Sequence, residues 1–138
     1  MNTPTDRPFV IYVDDDEDDR MLFCDAFKTT YPAIDCIDFQ EAIKALSFLS
    51  EQKNNGRLPQ HIVVDVNMPV MDGYEFTKEL RKDDVFLQVP LTYFSTSARP
   101  TFLLLSSNNT YYRQKPAEFS AYEQIIKEMM NGQPENKS

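Results

Sequence analysis

With 138 residues, 41% of them hydrophobic and 26% charged, the chain has the length and composition of one globular domain around a single core. A formal charge of −8 leaves nothing to neutralise a row of phosphates, which argues against direct nucleic-acid binding. No apolar run approaches the ~18 residues of a membrane span and residues 1–8 do not resemble a signal peptide, so a cytoplasmic protein without membrane contact is expected.

In chain order, residues 1–7 read as a flexible lead-in. Phe9 to Val13 is a continuous apolar run, the pattern of a strand buried on both faces, and it runs straight into Asp14-Asp15-Asp16-Glu17-Asp18-Asp19. From Asp18 to Thr29 apolar residues recur at helical spacing, with Leu22 and Ala26 on one line and Phe23 and Phe27 on the next; Tyr31-Pro32 ends that helix. Ala33 to Asp38 alternates apolar and acidic residues, as in a strand near a sheet edge. Phe39 to Glu51 places Ala42, Ala45, Leu46 and Leu49 on one helical stripe, and residues 52–60 form a turn-rich loop.

A second doubly buried strand, Ile62 to Val64, ends in Asp65, because Pro69 cannot sit inside a central strand. Asp72-Gly73 reads as a turn and helix start, with Phe76 and Leu80 inward on a helix from Gly73 to Arg81. Val89 to Phe94 is a fourth strand-like run, with Pro90 near its start. Between Ser95 and Asn109 a short or irregular helix is expected, and Phe102 to Leu105 read as core packing. Thr110 to Arg113 is a fifth strand. Ala117 to Met130 is an amphipathic helix marked by Phe119, Tyr122, Ile126 and Met129, and the tail 132–138 reads as disordered.

Cys24 and Cys36 have neither CxxC nor zinc-finger spacing and read as two reduced core thiols. His61, the single histidine, reads as a solvated loop residue, and these three residues are too few for a His/Cys metal site.

Strand and helix alternate five times, a pattern that calls for a parallel sheet with helices on both faces. The carboxyl edge of such a sheet, where ligands collect, would carry Asp14, Asp15, Asp65, Ser95 and Lys115. Two carboxylates ~4 Å apart repel by roughly 4 kcal/mol at an effective dielectric near 20, so such a cluster must protonate or hold a cation. Mg²⁺ suits hard oxygen ligands: Asp14, Asp15, Asp65 and a backbone carbonyl such as that of Asn67. With Lys115 as a point charge and the Ser95 hydroxyl as a donor, the constellation is that of a phosphoryl-accepting carboxylate.

Val13-Asp14-Asp15, the stretch from Asp65 through Met68-Pro69 to Asp72-Gly73, Phe94-Ser95-Thr96 and Tyr112-Arg113-Gln114-Lys115-Pro116 together resemble the receiver domain of two-component response regulators, the CheY-like family. The resemblance covers about residues 8 to 130. It implies a flavodoxin-like, doubly wound α/β fold, (βα)5, with five parallel strands in the order 2-1-3-4-5, occupying residues 8–131. It also implies Mg²⁺-dependent phosphoryl transfer onto Asp65 from a sensor histidine kinase or phosphotransfer protein. Asp14 and Asp15 then match the acidic metal pair, with Asp15 the direct ligand. Asn67 and Ser97 match rate-tuning positions, Ser95 the switch hydroxyl, Tyr112 the switch aromatic and Lys115 the motif lysine. Such a domain is a switch for protein contacts rather than a turnover enzyme.

The segment between Ser95 and Tyr112 departs from the family pattern. It is the face receivers use for a homodimer or a downstream protein target. Since few residues remain for an output domain, a stand-alone receiver is expected. Simpler roles compete at several positions: capping and solvation for Asp16 to Asp19, a solvated side chain for Lys115, a core aromatic for Tyr112 and Thr96 in place of Ser95. Two other functions compete as well, a phosphorylation-independent interaction module of the same fold and a haloacid dehalogenase-like phosphatase built on Asp14.

Overall fold

The computed structural model describes residues 7–98, 100 and 109–132. Five strands, β1 (Phe9–Val13), β2 (Asp35–Phe39), β3 (Ile62–Val64), β4 (Leu91–Ser95) and β5 (Thr110–Gln114), form one parallel sheet in the order β2-β1-β3-β4-β5. This is the flavodoxin-like order. Four α-helices lie among the described residues: α1 (Glu17–Thr30), α2 (Ala42–Asn54), α3 (Gly73–Leu80) and α4 (Tyr122–Met130). The expected helix within 95–109, including Phe102 to Leu105, falls largely on residues outside those described, as do residues 1–6 and 133–138.

The pleat of β1 explains why that strand is apolar throughout. Phe9, Ile11 and Val13 join the core under α2 and α3, whereas Val10 and Tyr12 join the core under α1 and α4. A strand covered on both faces leaves no place for a polar side chain without a buried partner. The edge strand β2 is only half-buried, and its acidic residues tolerate that.

Several sequence expectations shift. Asp16 caps α1 by accepting the Asp19 N–H at 3.0 Å, so the helix starts at Glu17. Its buried line is Phe23, Ala26 and Phe27, while Leu22 is 38% exposed, because the α4 contact takes only one stripe. Phe119 is 52% exposed and sits in a 3₁₀ turn, Phe119–Ala121, that precedes α4 and so lies off the inward stripe of Tyr122, Ile126 and Met129. Cys24 and Cys36 are free but half-buried at the α1–β2 edge rather than in the core.

His61 is buried, not a solvated loop residue. It is 2% exposed, with Nε2 2.7 Å from the Thr92 hydroxyl, and burial lowers its pKa to about 4. The ladder reaches one residue before β3, since the His61 carbonyl accepts from the Ile11 N–H at 3.1 Å. The His61 ring therefore shares the Val63 face of the sheet, among Val10, Phe27 and Ile126.

Candidate functional site

Backbone pairing that continues past the strand ends brings the site together. The Asp65 N–H donates to the Val13 carbonyl at 2.8 Å, the Asp14 N–H to the Phe39 carbonyl at 3.0 Å, and the Lys115 N–H to the Ser95 carbonyl at 2.6 Å. Residues from four separate segments thus stand on one rim.

Asp14, Asp15 and Asp65 present carboxylate oxygens that all lie within 4.8 Å of one another. Asp14 and Asp65 are buried and Asp15 is exposed. The Asp14 carboxylate is fully engaged: Oδ2 accepts from the Tyr12 hydroxyl at 2.7 Å and from Lys115 Nζ at 2.8 Å, and Oδ1 accepts the Asp16 N–H at 2.9 Å. Among the described residues no hydrogen bond or ion pair engages the Asp15 carboxylate. Burial and then the neighbouring Asp14 charge raise the Asp65 pKa to about 6. Lys115 and the backbone N–H groups of Val66 and Asn67 oppose that shift without cancelling it.

Lys115 Nζ is the cation of the site. It contacts Asp14 and Asp19 at 2.8 Å each and lies 3.7 Å from Asp65, with the side chain turned inward and 6% exposed. Burial works to lower its pKa, but hydrogen bonds to Asp14 and Asp19 outweigh this and hold the ammonium above its ordinary range.

On the other side of the rim, the buried Ser95 ends β4, and its Oγ accepts the Ser97 N–H at 3.2 Å. Thr96, its competitor, is exposed. Tyr112 is buried, and its hydroxyl donates to the Ser97 carbonyl at 2.9 Å, which ties β5 to the loop after β4. Asn67 is exposed beside Asp65.

The loop after Asp65 is held by two local devices. Asp72 accepts the Glu75 N–H and Glu75 returns the bond to the Asp72 N–H, a capping box that starts α3. Gly73 approaches the strand end so closely that a Cβ there would lie 2.5 Å from the Asp65 carbonyl oxygen.

Two contributors were not assigned to the site from sequence. Asp19, expected to cap or stay solvated, shares Lys115, and nothing in an acidic run distinguishes one member from the next. Tyr12 was read as core; its position two residues before Asp14, on the same face of the strand, is the signal that could have found it.

The chain matches the model of the response regulator receiver domain over residues 10–132. It belongs to that family. Among curated proteins it is 33% identical over 117 residues to the sensor histidine kinase CheAY of Helicobacter pylori, covering 83% of this chain and 14% of that protein. It is 28% identical over 100 residues to the response regulator Rcp1 of Synechocystis, covering 70% of this chain and 68% of that one. The receiver therefore spans about a seventh of the kinase and two thirds of the regulator. Among solved structures, a two-component response regulator from Cytophaga hutchinsonii superposes with a TM-score of 0.74 at 22% identity, covering 91% of this chain and 98% of that one. The phosphorylated phytochrome response regulator RcpA superposes at 0.73 and 24% identity, covering 88% and 89%.

The receiver domain is a two-component signalling module, and its family is not one of classic enzymes. No helix among the described residues of the receiver is long and apolar enough to cross a membrane. Its three-carboxylate cluster has the hard oxygen donors that Mg²⁺ requires, and the Asp14 charge, second to burial in raising the Asp65 pKa, is one that such an ion would offset.

Proposed function

We propose that the receiver accepts a phosphoryl group on Asp65 from a phosphohistidine of a sensor histidine kinase or phosphotransfer protein in the cytoplasm. The observation that carries this reading is the placement of Asp65 at the end of β3, inside the carboxylate cluster and 3.7 Å from Lys115 Nζ. Asp15, Asp65 and the Asn67 carbonyl would hold Mg²⁺ directly, with Asp14 buried behind them. Bound there, the ion would neutralise charge on the transferring phosphoryl oxygens.

An Asp65 oxygen attacks phosphorus, the P–N bond to the imidazole breaks, and the leaving nitrogen keeps the electron pair. Lys115 shifts from Asp14 and Asp19 toward the phosphoryl oxygens as their charge grows. The Ser95 hydroxyl gives up its bond to the Ser97 N–H and donates to another phosphoryl oxygen. Because Tyr112 holds the Ser97 carbonyl, that movement reaches β5 and the partner face beyond Ser95, which would meet a downstream target or a second copy. Asn67 and Ser97 flank the phosphoryl position and tune its lifetime.

Incubation with a small-molecule phosphodonor tests this. Wild type should be labelled with Mg²⁺ and not with EDTA, and Asp65→Asn should stay unlabelled in both. Label persisting in Asp65→Asn would overturn the assignment. A failure of beryllofluoride to alter the protein in the presence of Mg²⁺ would favour an interaction module that works without phosphate.

A further inference from the structure

Cys24 on α1 and Cys36 on β2 are the chain's two cysteines, and neither has a role in the site described above. Folding places their sulfur atoms 2.8 Å apart, closer than two non-bonded sulfurs rest and approaching the ~2.05 Å of a disulfide. Both are half-buried and line an open cavity of about 450 Å³ at the α1–β2 edge, with Arg7, Asp25, Lys28 and Asp35 around its wall. A small polar oxidant has room to reach them there.

We propose that this dithiol is an oxidation site for small hydroperoxides, which close it to an intramolecular disulfide that staples α1 to β2. The hydrogen bond to Cys24, and then burial, push the Cys36 thiol well above its ordinary range, so the two sulfurs share a proton and act as one unit. One sulfur attacks a peroxide oxygen and the O–O bond breaks. The attacking thiol's proton goes to the other oxygen, which leaves as alcohol or water, and that sulfur becomes a sulfenic acid. The second sulfur then displaces hydroxide from the first, and the hydroxide takes the second thiol's proton and departs as water. Two thiols lose two electrons and two protons, and the peroxide gains them.

The staple acts where it can matter. One turn before Cys24, Arg20 bridges Asp38 of β2 at 3.0 Å and the Asp14 carbonyl at 2.9 Å, and Asp19 holds Lys115. A covalent link below those contacts fixes the helix that carries them. This site stands independently of phosphoryl transfer at Asp65.

The test uses the full chain, reduced, desalted and treated with hydrogen peroxide. Thiol titration under denaturing conditions should fall from two groups to none, and the intact mass should fall by about two hydrogens. Trypsin without reductant should yield residues 21–28 linked to 29–44, since Arg20, Lys28 and Lys44 bound these peptides. The Tm should rise by about 5 °C and return with dithiothreitol. Cys36→Ser and Cys24→Ser should each yield no linked peptides and stop at a sulfenic acid trapped by dimedone. Retained thiols, oxygen gained without linked peptides, or a disulfide-linked dimer on a non-reducing gel would overturn the proposal.

Discussion

Asp65 is caught between opposing influences, and its proton affinity records which wins. Burial and the Asp14 charge favour the neutral acid, while Lys115 and two backbone N–H groups favour the carboxylate; the balance lies at about 6, against an ordinary 3.8. A folded-state pKa above the unfolded value contributes stability that is present below pH 4 and lost as pH rises through 6. Metal-free Asp65→Asn should therefore be more stable than wild type at pH 7.5 by roughly 2 kcal/mol. That advantage should shrink toward zero below pH 4, which urea melts at a series of pH values will show. His61 works in the other direction. Its folded pKa of about 4 lies below the ordinary 6.5, so its contribution is present above pH 6.5 and lost as pH falls toward 4. Substituting a non-titrating residue at His61 should flatten that part of the acid limb of the stability profile.

At the level of elements, the turn between β3 and α3 is where backbone geometry is most constrained. Val70 has φ +69° and is 92% exposed, an unfavourable conformation for a β-branched residue, in a three-residue turn closed by the Met71 N–H and the Pro69 carbonyl. Three residues on, Gly73 begins α3 in contact with the Asp65 backbone. Ala in place of Gly usually stabilises an open helix by about 1 kcal/mol. Here Gly73→Ala should reverse that sign and cost about 2 kcal/mol, because the new methyl would overlap the Asp65 carbonyl and α3 would have to back away. Denaturant midpoints measure the change. Phosphoryl acceptance should fall in parallel if the displacement carries Asp65 with it.

For the molecule as a whole, the parallel topology concentrates acidic groups at one end of the sheet, with the inward-turned Lys115 among them. With Asp14 engaged by Lys115, the exposed Asp15 and buried Asp65 carboxylates, within 4.8 Å of each other, repel by about 3 kcal/mol or more at an effective dielectric of 20, so a divalent ion should stabilise the fold. Thermal melts should show Tm rising with Mg²⁺ and returning with EDTA. Asp15→Asn should remove most of that rise without lowering the metal-free Tm, since no described contact depends on the Asp15 side chain. A full Mg²⁺ response in that variant would exclude Asp15 as a ligand.

The alternation of doubly buried strands with amphipathic helices was legible in the residues themselves, because burial on two faces leaves no alternating polar position in Phe9–Val13 or Ile62–Val64. So was the placing of Asp14, Asp65, Ser95 and Lys115 at strand ends, where Pro69 and Pro116 punctuate the chain. Only the tertiary structure decided which neighbours those ends acquire. It gave Lys115 to Asp14 and Asp19, set Tyr12 against Asp14, buried His61 on Thr92 and brought Cys24 to Cys36. Local pattern reports whether a side chain is covered, through its period along the strand or helix. It carries no record of which distant segment does the covering, because that depends on strand order and on how the helices settle across the sheet.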